Sequence, residues 1–390
     1  MMKHVFTAAV AAAAAIPASA APVTQAAPAI DTATLDARIV KLMAQEDVKG
    51  LAIAVIDARE ITHLKTFGWR NVEKRLPLES DTIMYGASLT KAAFAYMVLQ
   101  LVDEGLIDLD APISQYLDKP LPEYGDAEDG WASLKGDEDW RLLTPRILLT
   151  HSSGLANLRS LEPDWDLSFH FRPGSNYAYS GEGFYLLQFV LEEGLGLDVK
   201  AEMQRRVFDR FAMPDTSMQW RADFADNLAD GYAMDGSFEP HDERSYVSAS
   251  GSMDTTIADQ ARMWRGVLAG EGLSQAMRDE WTRPQLPIRT AYKFPTIRAS
   301  TTRDARTAAI GLSAAMGVDT WDGPHGRVFA KGGHNDWTGN IVICQQAEDR
   351  CVVLLSNSVR AEIIYPQIVE MVLGETGYPW WWTYPDLHKD

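Results

Sequence analysis

Hydrophobic and polar positions change period several times along the chain. Residues 35–43 carry apolar side chains at helical spacing, predicting a short amphipathic helix. Residues 51–56 form a continuous apolar run, and 62–67 a second strand-like segment. The polar stretch 57–60 between them reads as a turn, so the two make a strand pair. Residues 77–84 are irregular and lead into a helix in which Ala92, Ala95, Tyr96, Leu99 and Val102 recur at helical spacing, with Gly105 as a C-terminal stop.

From about 106 to 235 the strand signal fades. Residues 106–112 read as a turn, and 124–140 as an exposed acidic loop (Asp126, Glu128, Asp129, Asp137, Glu138, Asp139). Residues 144–149 read as a short helix opened by Pro145, and 181–193 and 199–211 are helix-patterned. From Tyr246 onward strand patterns return, around a helix at 256–268, and a last helix covers 366–373. Strands joined by short turns pair antiparallel. The expected fold class is therefore α/β of the α+β type: an antiparallel sheet flanked by helices, with an inserted all-helical domain. The boundaries expected are 31–115 plus 236–375 for the sheet domain, 116–235 for the helical insert and 376–390 for an aromatic tail (Trp380, Trp381, Trp382, Tyr384) that docks on the body. A reactive cleft is expected at the seam.

Composition narrows the functional classes. The chain has 390 residues, 46% apolar and 23% charged, which suits a globular protein. A net charge of −18 excludes the basic face that a nucleic-acid binder needs. Residues 1–20 read as a signal peptide: Lys3 and His4, an apolar stretch over 5–16, and an Ala18-Ser19-Ala20 cleavage site. Residues 21–30, rich in Ala and Pro, read as a linker. An exported periplasmic or secreted protein follows, with no stable membrane insertion once the leader is removed. Cys344 and Cys351 flank a polar turn between apolar segments 341–343 and 352–355. A disulfide and a pair of half-buried free thiols both fit that hairpin.

The chemistry centres on Ser88-Leu89-Thr90-Lys91, the one S-x-x-K in the chain. Residues three apart share a helix face, so the Lys91 amine can reach the Ser88 hydroxyl. A serine needs such a base to act as a nucleophile, and burial equips a lysine for the task. Tyr179, in Tyr179-Ser180-Gly181, can shuttle a proton to a leaving group if lysines surround it. Lys331-Gly332-Gly333 is the one K-x-G, and its glycines let a substrate lie close to the backbone. The amides of Ser88 and His334 can then form an oxyanion hole. His151 beside Ser152 and Ser153 is expected to be structural. There is no G-x-S-x-G elbow.

These motifs, in this order, resemble the penicillin-recognising serine hydrolases: class C β-lactamases, DD-peptidases, D-aminopeptidases and related esterases. The stretch Leu148-Leu149-Thr150-His151-Ser152-Ser153-Gly154-Leu155, the run from Pro173-Gly174 to Tyr179-Ser180, Met213-Pro214-Asp215-Thr216 and Ala249-Ser250-Gly251 are similar to further motifs of that group. The resemblance spans residues 31 to 375. It implies a β-lactamase/transpeptidase-like fold, Ser88 as the acylated nucleophile, Lys91 as its activator, and Tyr179 as general acid/base. Lys331, Gly332, Gly333, the His334 amide and Gly181 would line the substrate site. No metal or cofactor is required, and the partner is a small-molecule or peptide substrate. Two departures stand out: Gly181 replaces the family's asparagine, and Gly332 its Ser or Thr. His334 is a second candidate for the Lys331 role. The expected function is an exported hydrolase cleaving an amide, lactam or ester, as peptidase, amidase or β-lactamase. Alternatives are a carboxylesterase of the same fold and a penicillin or peptidoglycan sensor without turnover.

Overall fold

The computed structural model describes residues 31–125, 130–294 and 302–388; the expected leader and linker lie outside them. The apolar runs build one antiparallel sheet from both ends of the chain. Its strands are β1 (Gly50–Asp57), β2 (Glu60–Asn71), β3 (Leu76–Pro77), β4 (Leu286–Pro287), β5 (Ser313–Ala314), β6 (Asp319–Gly323), β7 (Gly326–His334), β8 (Gly339–Gln345) and β9 (Arg350–Ser356). Their spatial order is β3-β2-β1-β9-β8-β7-β6-β5-β4. The first and last long strands lie side by side, Leu51 opposite Ser356 and Ile56 opposite Cys351.

Alternation explains why β1, β8 and β9 read as unbroken apolar runs. Leu51, Ile53, Val55, Ile341, Ile343, Val352 and Leu354 face one layer, with α1 (Thr32–Glu46) and the helix Tyr365–Leu373. Ala52, Ala54, Ile56, Val342, Val353 and Leu355 face the other, against α2 (Leu89–Asp103) and the helix Ile257–Ala269. Both faces are covered, so the central positions of these strands are apolar on both sides, and the buried polar residues stand at the strand ends, among them Asn340, Gln345, Arg350 and Ser356. Cys344 and Cys351 are cross-strand partners on the second face, joined in a disulfide.

Helix α2 is buried on every side from Leu89 to Leu101, as its apolar composition requires. Its end is a Schellman turn. The Leu106 N–H bonds the Leu101 carbonyl and the Gly105 N–H that of Val102, with Gly105 at φ +73°. The middle of the chain is helical as expected, although the helices from Gly181 and from Val199 each run into one wider turn, Val190–Gly194 and Gln204–Phe208.

Two expectations need correction. Of the 124–140 segment, residues 126–129 lie outside the described residues, and residues 130–140 are not an exposed loop. Trp131, Leu134 and Trp140 are buried, and 3-10 turns at Ala132–Leu134 and Glu138–Leu142 hold it to the body. Three apolar anchors outweigh its acidic composition. Nor do main-sheet strands resume at Tyr246. Between there and β4 the one strand pair is Asp254–Thr255 with Met84–Tyr85, which clamps the turn before α2.

That turn is where β7 touches the helical side. A Cβ on Gly333 would lie 2.5 Å from the Gly86 carbonyl oxygen and 3.1 Å from the Leu89 nitrogen. Backbone meets backbone there, and only glycine fits. Gly333→Ala should lower the unfolding free energy by about 1–3 kcal/mol, read as a fall in thermal midpoint. An unchanged midpoint would contradict the close approach.

Candidate active site

Ser88 sits half-buried at the N-terminal cap of α2, its side chain making no capping hydrogen bond. The preceding Ala87 is held in the left-handed region at φ +47°, a strained position for a residue with a Cβ. Neighbouring groups over-determine the turn. The Thr90 hydroxyl donates to the Ala87 carbonyl (2.6 Å) and accepts from the Met253 N–H (3.1 Å), while the Gly86 N–H donates to the Met253 carbonyl (2.9 Å). The Ser88 N–H has no protein acceptor among the described residues.

One helical turn on, Lys91 Nζ lies 3.2 Å from Ser88 Oγ and also donates to the Ser250 carbonyl. Lys91 is 2% exposed. Burial brings its pKa down to about 8, with the Lys331 and Lys293 charges pushing the same way against the pull of Tyr179. Tyr179 is buried, and Lys331 Nζ donates to its hydroxyl at 2.8 Å. Burial and then Lys293 hold Lys331 well below the ordinary lysine range. Ser88, Lys91, Tyr179 and Lys331, scattered over 244 positions of sequence, therefore converge.

His151 stacks on the Tyr179 ring at 4.1 Å and accepts the Ser180 N–H at 3.1 Å. Burial, then the three lysines, hold it well below the usual histidine range, so it stays neutral and wedges the tyrosine in place. Ser180 caps the next helix, its hydroxyl accepting the Gly183 N–H (2.9 Å) and donating to the Ala156 carbonyl (2.9 Å). Tyr179 is thus fixed by the helix start that follows it.

The remaining sequence candidates divide by strand alternation. Lys331 and Gly333 face the Ser88 side. Gly332 and His334 face the tail: a Cβ on Gly332 would lie 3.7 Å from Tyr384 Oη, and His334 Nδ1 donates to Glu362 at 2.8 Å. Lys331, not the His334 side chain, reaches Tyr179. At Gly181 a Cβ would lie 2.5 Å from the Asn157 carbonyl oxygen. Asn157 occupies that space, accepting the Gly181 N–H through both its carbonyl and Oδ1 at 3.0 Å. A cavity of about 370 Å³ opens here, lined in part by Asn157, Trp165, Gly181, Tyr185, Tyr246 and Ser250.

Sequence reading missed three participants. Ser250 lies in the Ala249-Ser250-Gly251 stretch and Asn157 two residues past the one that ends at Leu155, but their contacts to Lys91 and Gly181 are tertiary. Lys293, ion-paired with Asp319 at 2.6 Å behind Tyr179, stands in no motif.

A 25%-identical match to D-aminopeptidase of Gluconobacter oxydans (strain 621H) runs over 187 residues, 47% of this chain and 35% of that protein. Esterase EstB of Burkholderia gladioli is 27% identical over 209 residues, 47% of this chain and 50% of that protein. The chain thus spans half or less of the length of these relatives. Its fold is shared with an octameric penicillin-binding protein homologue from Pyrococcus abyssi, at TM-score 0.70 and 19% identity, covering 90% of this chain and 79% of that one. The family model described as Beta-lactamase matches residues 35–362, and the chain belongs to that family.

Proposed function

We propose that the protein is a serine hydrolase that forms an acyl-enzyme at Ser88 and cleaves an amide, lactam or ester. The observation that carries this is the meeting of Ser88 Oγ with a buried lysine amine on one side and of a tyrosine hydroxyl with a second buried lysine on the other. In its neutral form Lys91 takes the Ser88 proton as Oγ attacks the carbonyl carbon. The oxyanion is met by the N–H groups of Ser88 and His334, brought together by the Gly333 contact. Tyr179, held by Lys331, delivers a proton to the leaving group; in the second half it takes one from water, which attacks the acyl carbon, and Lys91 returns its proton to Ser88 Oγ as the acyl–oxygen bond breaks.

Carboxylesterase is the second reading. Trp165 and Tyr246 at the cavity rim are 58% and 60% exposed and offer an apolar acyl group a surface beside Gly181. Asn157 fills the space beside Gly181 that a side chain at 181 would need. Export is supported by the leader pattern of residues 1–20 and by the disulfide, which suits an oxidising compartment. Among the described residues no helix is long and apolar enough to cross a membrane.

Hydrolysis of p-nitrophenyl acetate tests the reading. Ser88→Ala should lower kcat/KM by roughly 10³-fold or more, and Lys91→Met and Tyr179→Phe by about 10²–10⁴. Full activity of Ser88→Ala would overturn it. The pH profile has a definite sign. The working form of Lys91 is the neutral amine, so kcat/KM should rise with pH and level off above about 8. A profile falling through that range would remove Lys91 as the base.

A further inference from the structure

Three lysines converge on Tyr179, and the reaction above uses two of them. Lys91 Nζ lies 5.1 Å from the tyrosine ring centroid, Lys331 Nζ 4.6 Å and Lys293 Nζ 5.3 Å. Lys293 is 4% exposed. Its ammonium is paired with Asp319 of β6 at 2.6 Å and lies 5.3 Å from the Trp382 ring. Its backbone is fixed too. The Lys293 N–H donates to the Trp382 carbonyl at 2.8 Å, and Trp382 Nε1 donates to the Thr290 hydroxyl at 3.2 Å. The aromatic tail therefore holds a lysine against the back of the tyrosine.

We infer that Lys293 is a positioning residue for the reaction: it keeps a permanent cation behind Tyr179, and that cation sets where in pH the Ser88 machinery switches on. Asp319 is what makes the cation permanent. An isolated ammonium at this depth would shed its proton, whereas one hydrogen-bonded to a carboxylate keeps it. The other groups facing Lys293 are Tyr179, Tyr378, Lys331 and Lys91. Tyr378 is tied to Thr383 at 3.0 Å, and His151, on the Tyr179 ring, is neutral. Among the described residues Asp319 is thus the carboxylate that faces Lys293 and, beyond it, Lys331. With Lys293 charged, a second and third ammonium nearby are disfavoured, which releases the Lys91 amine for proton transfer. Both Lys331 and Lys91 are shifted downward by Lys293 in addition to burial.

The inference rests on the acyl-enzyme reading, so two separate readouts are needed. One is the pH midpoint of Ser88 labelling by a fluorophosphonate. The other is the pH midpoint of the Lys91 Cε resonance in 13C-lysine-labelled protein, which reports protonation whether or not a substrate turns over. Lys293→Met should raise both midpoints by about one pH unit. The double variant Lys293→Met/Asp319→Asn removes the carboxylate as well, so its midpoints should lie between wild type and the single variant. It also carries the test if the unpaired Asp319 prevents the single variant from folding. Lys293→Arg keeps the charge and should stay near wild type. A purely structural role lowers the labelling rate at every pH and leaves the midpoints in place; midpoints unmoved in Lys293→Met and in the double variant would overturn the inference. A wild-type protein that never labels at Ser88 would instead remove the hydrolase reading, leaving the Lys91 resonance to judge Lys293.

Discussion

A lysine amine kept out of water beside a serine hydroxyl is the constraint on which the rest of the site depends. In water an ammonium holds its proton through the neutral range and is useless as a base. Lys91 is enclosed by the most buried helix of the described structure, and that enclosure brings its pKa down to about 8. The cost of removing an ammonium from water is lowered by the Ser250 carbonyl, which accepts a hydrogen bond from Nζ. Much of the architecture around the site serves this end. The sheet covers one side of α2, and the middle segment of the chain packs against much of the rest.

Positioning is shared between two rigid starts. Ser88 opens α2 and Tyr179 immediately precedes the cap of the helix Gly181–Phe189, so each reactive oxygen is held by the first turn of a helix. Strand β7 crosses between them, with Lys331 directed to the tyrosine and Gly333 pressed against the serine turn. A site on element starts moves less than one on loops. The strain at Ala87 is carried by hydrogen bonds from two neighbouring segments, the first turn of α2 and the Met253 segment, not by flexibility.

Much of this was legible in the chain. Continuous apolar runs marked the doubly covered strands, the helical spacing through Val102 marked α2, and three short motifs named the residues that meet. Those signals are local, or come from motifs whose order resembles a known family. What escaped depends on tertiary contact. Nothing in the 124–140 composition told that Trp131, Leu134 and Trp140 would be buried, because acidic neighbours masked three widely spaced anchors. Gly181 read as a lost amide, whereas the space is taken by Asn157, 24 positions earlier in the sequence. Lys293 and Asp319 carry no pattern, since an ion pair between residues 26 apart leaves no trace in periodicity. The cysteine pair was left open by sequence and closed by register, Cys344 standing opposite Cys351.

The most direct test of the central claim is to catch the covalent intermediate. Protein mixed with a slowly deacylating p-nitrophenyl ester, quenched in acid within the first turnover and digested, should yield one peptide heavier by the acyl group, with the modification on Ser88. The same experiment on Ser88→Ala should give no adduct. Acylation of a different residue, or turnover of the ester with no adduct at any time point, would contradict the account.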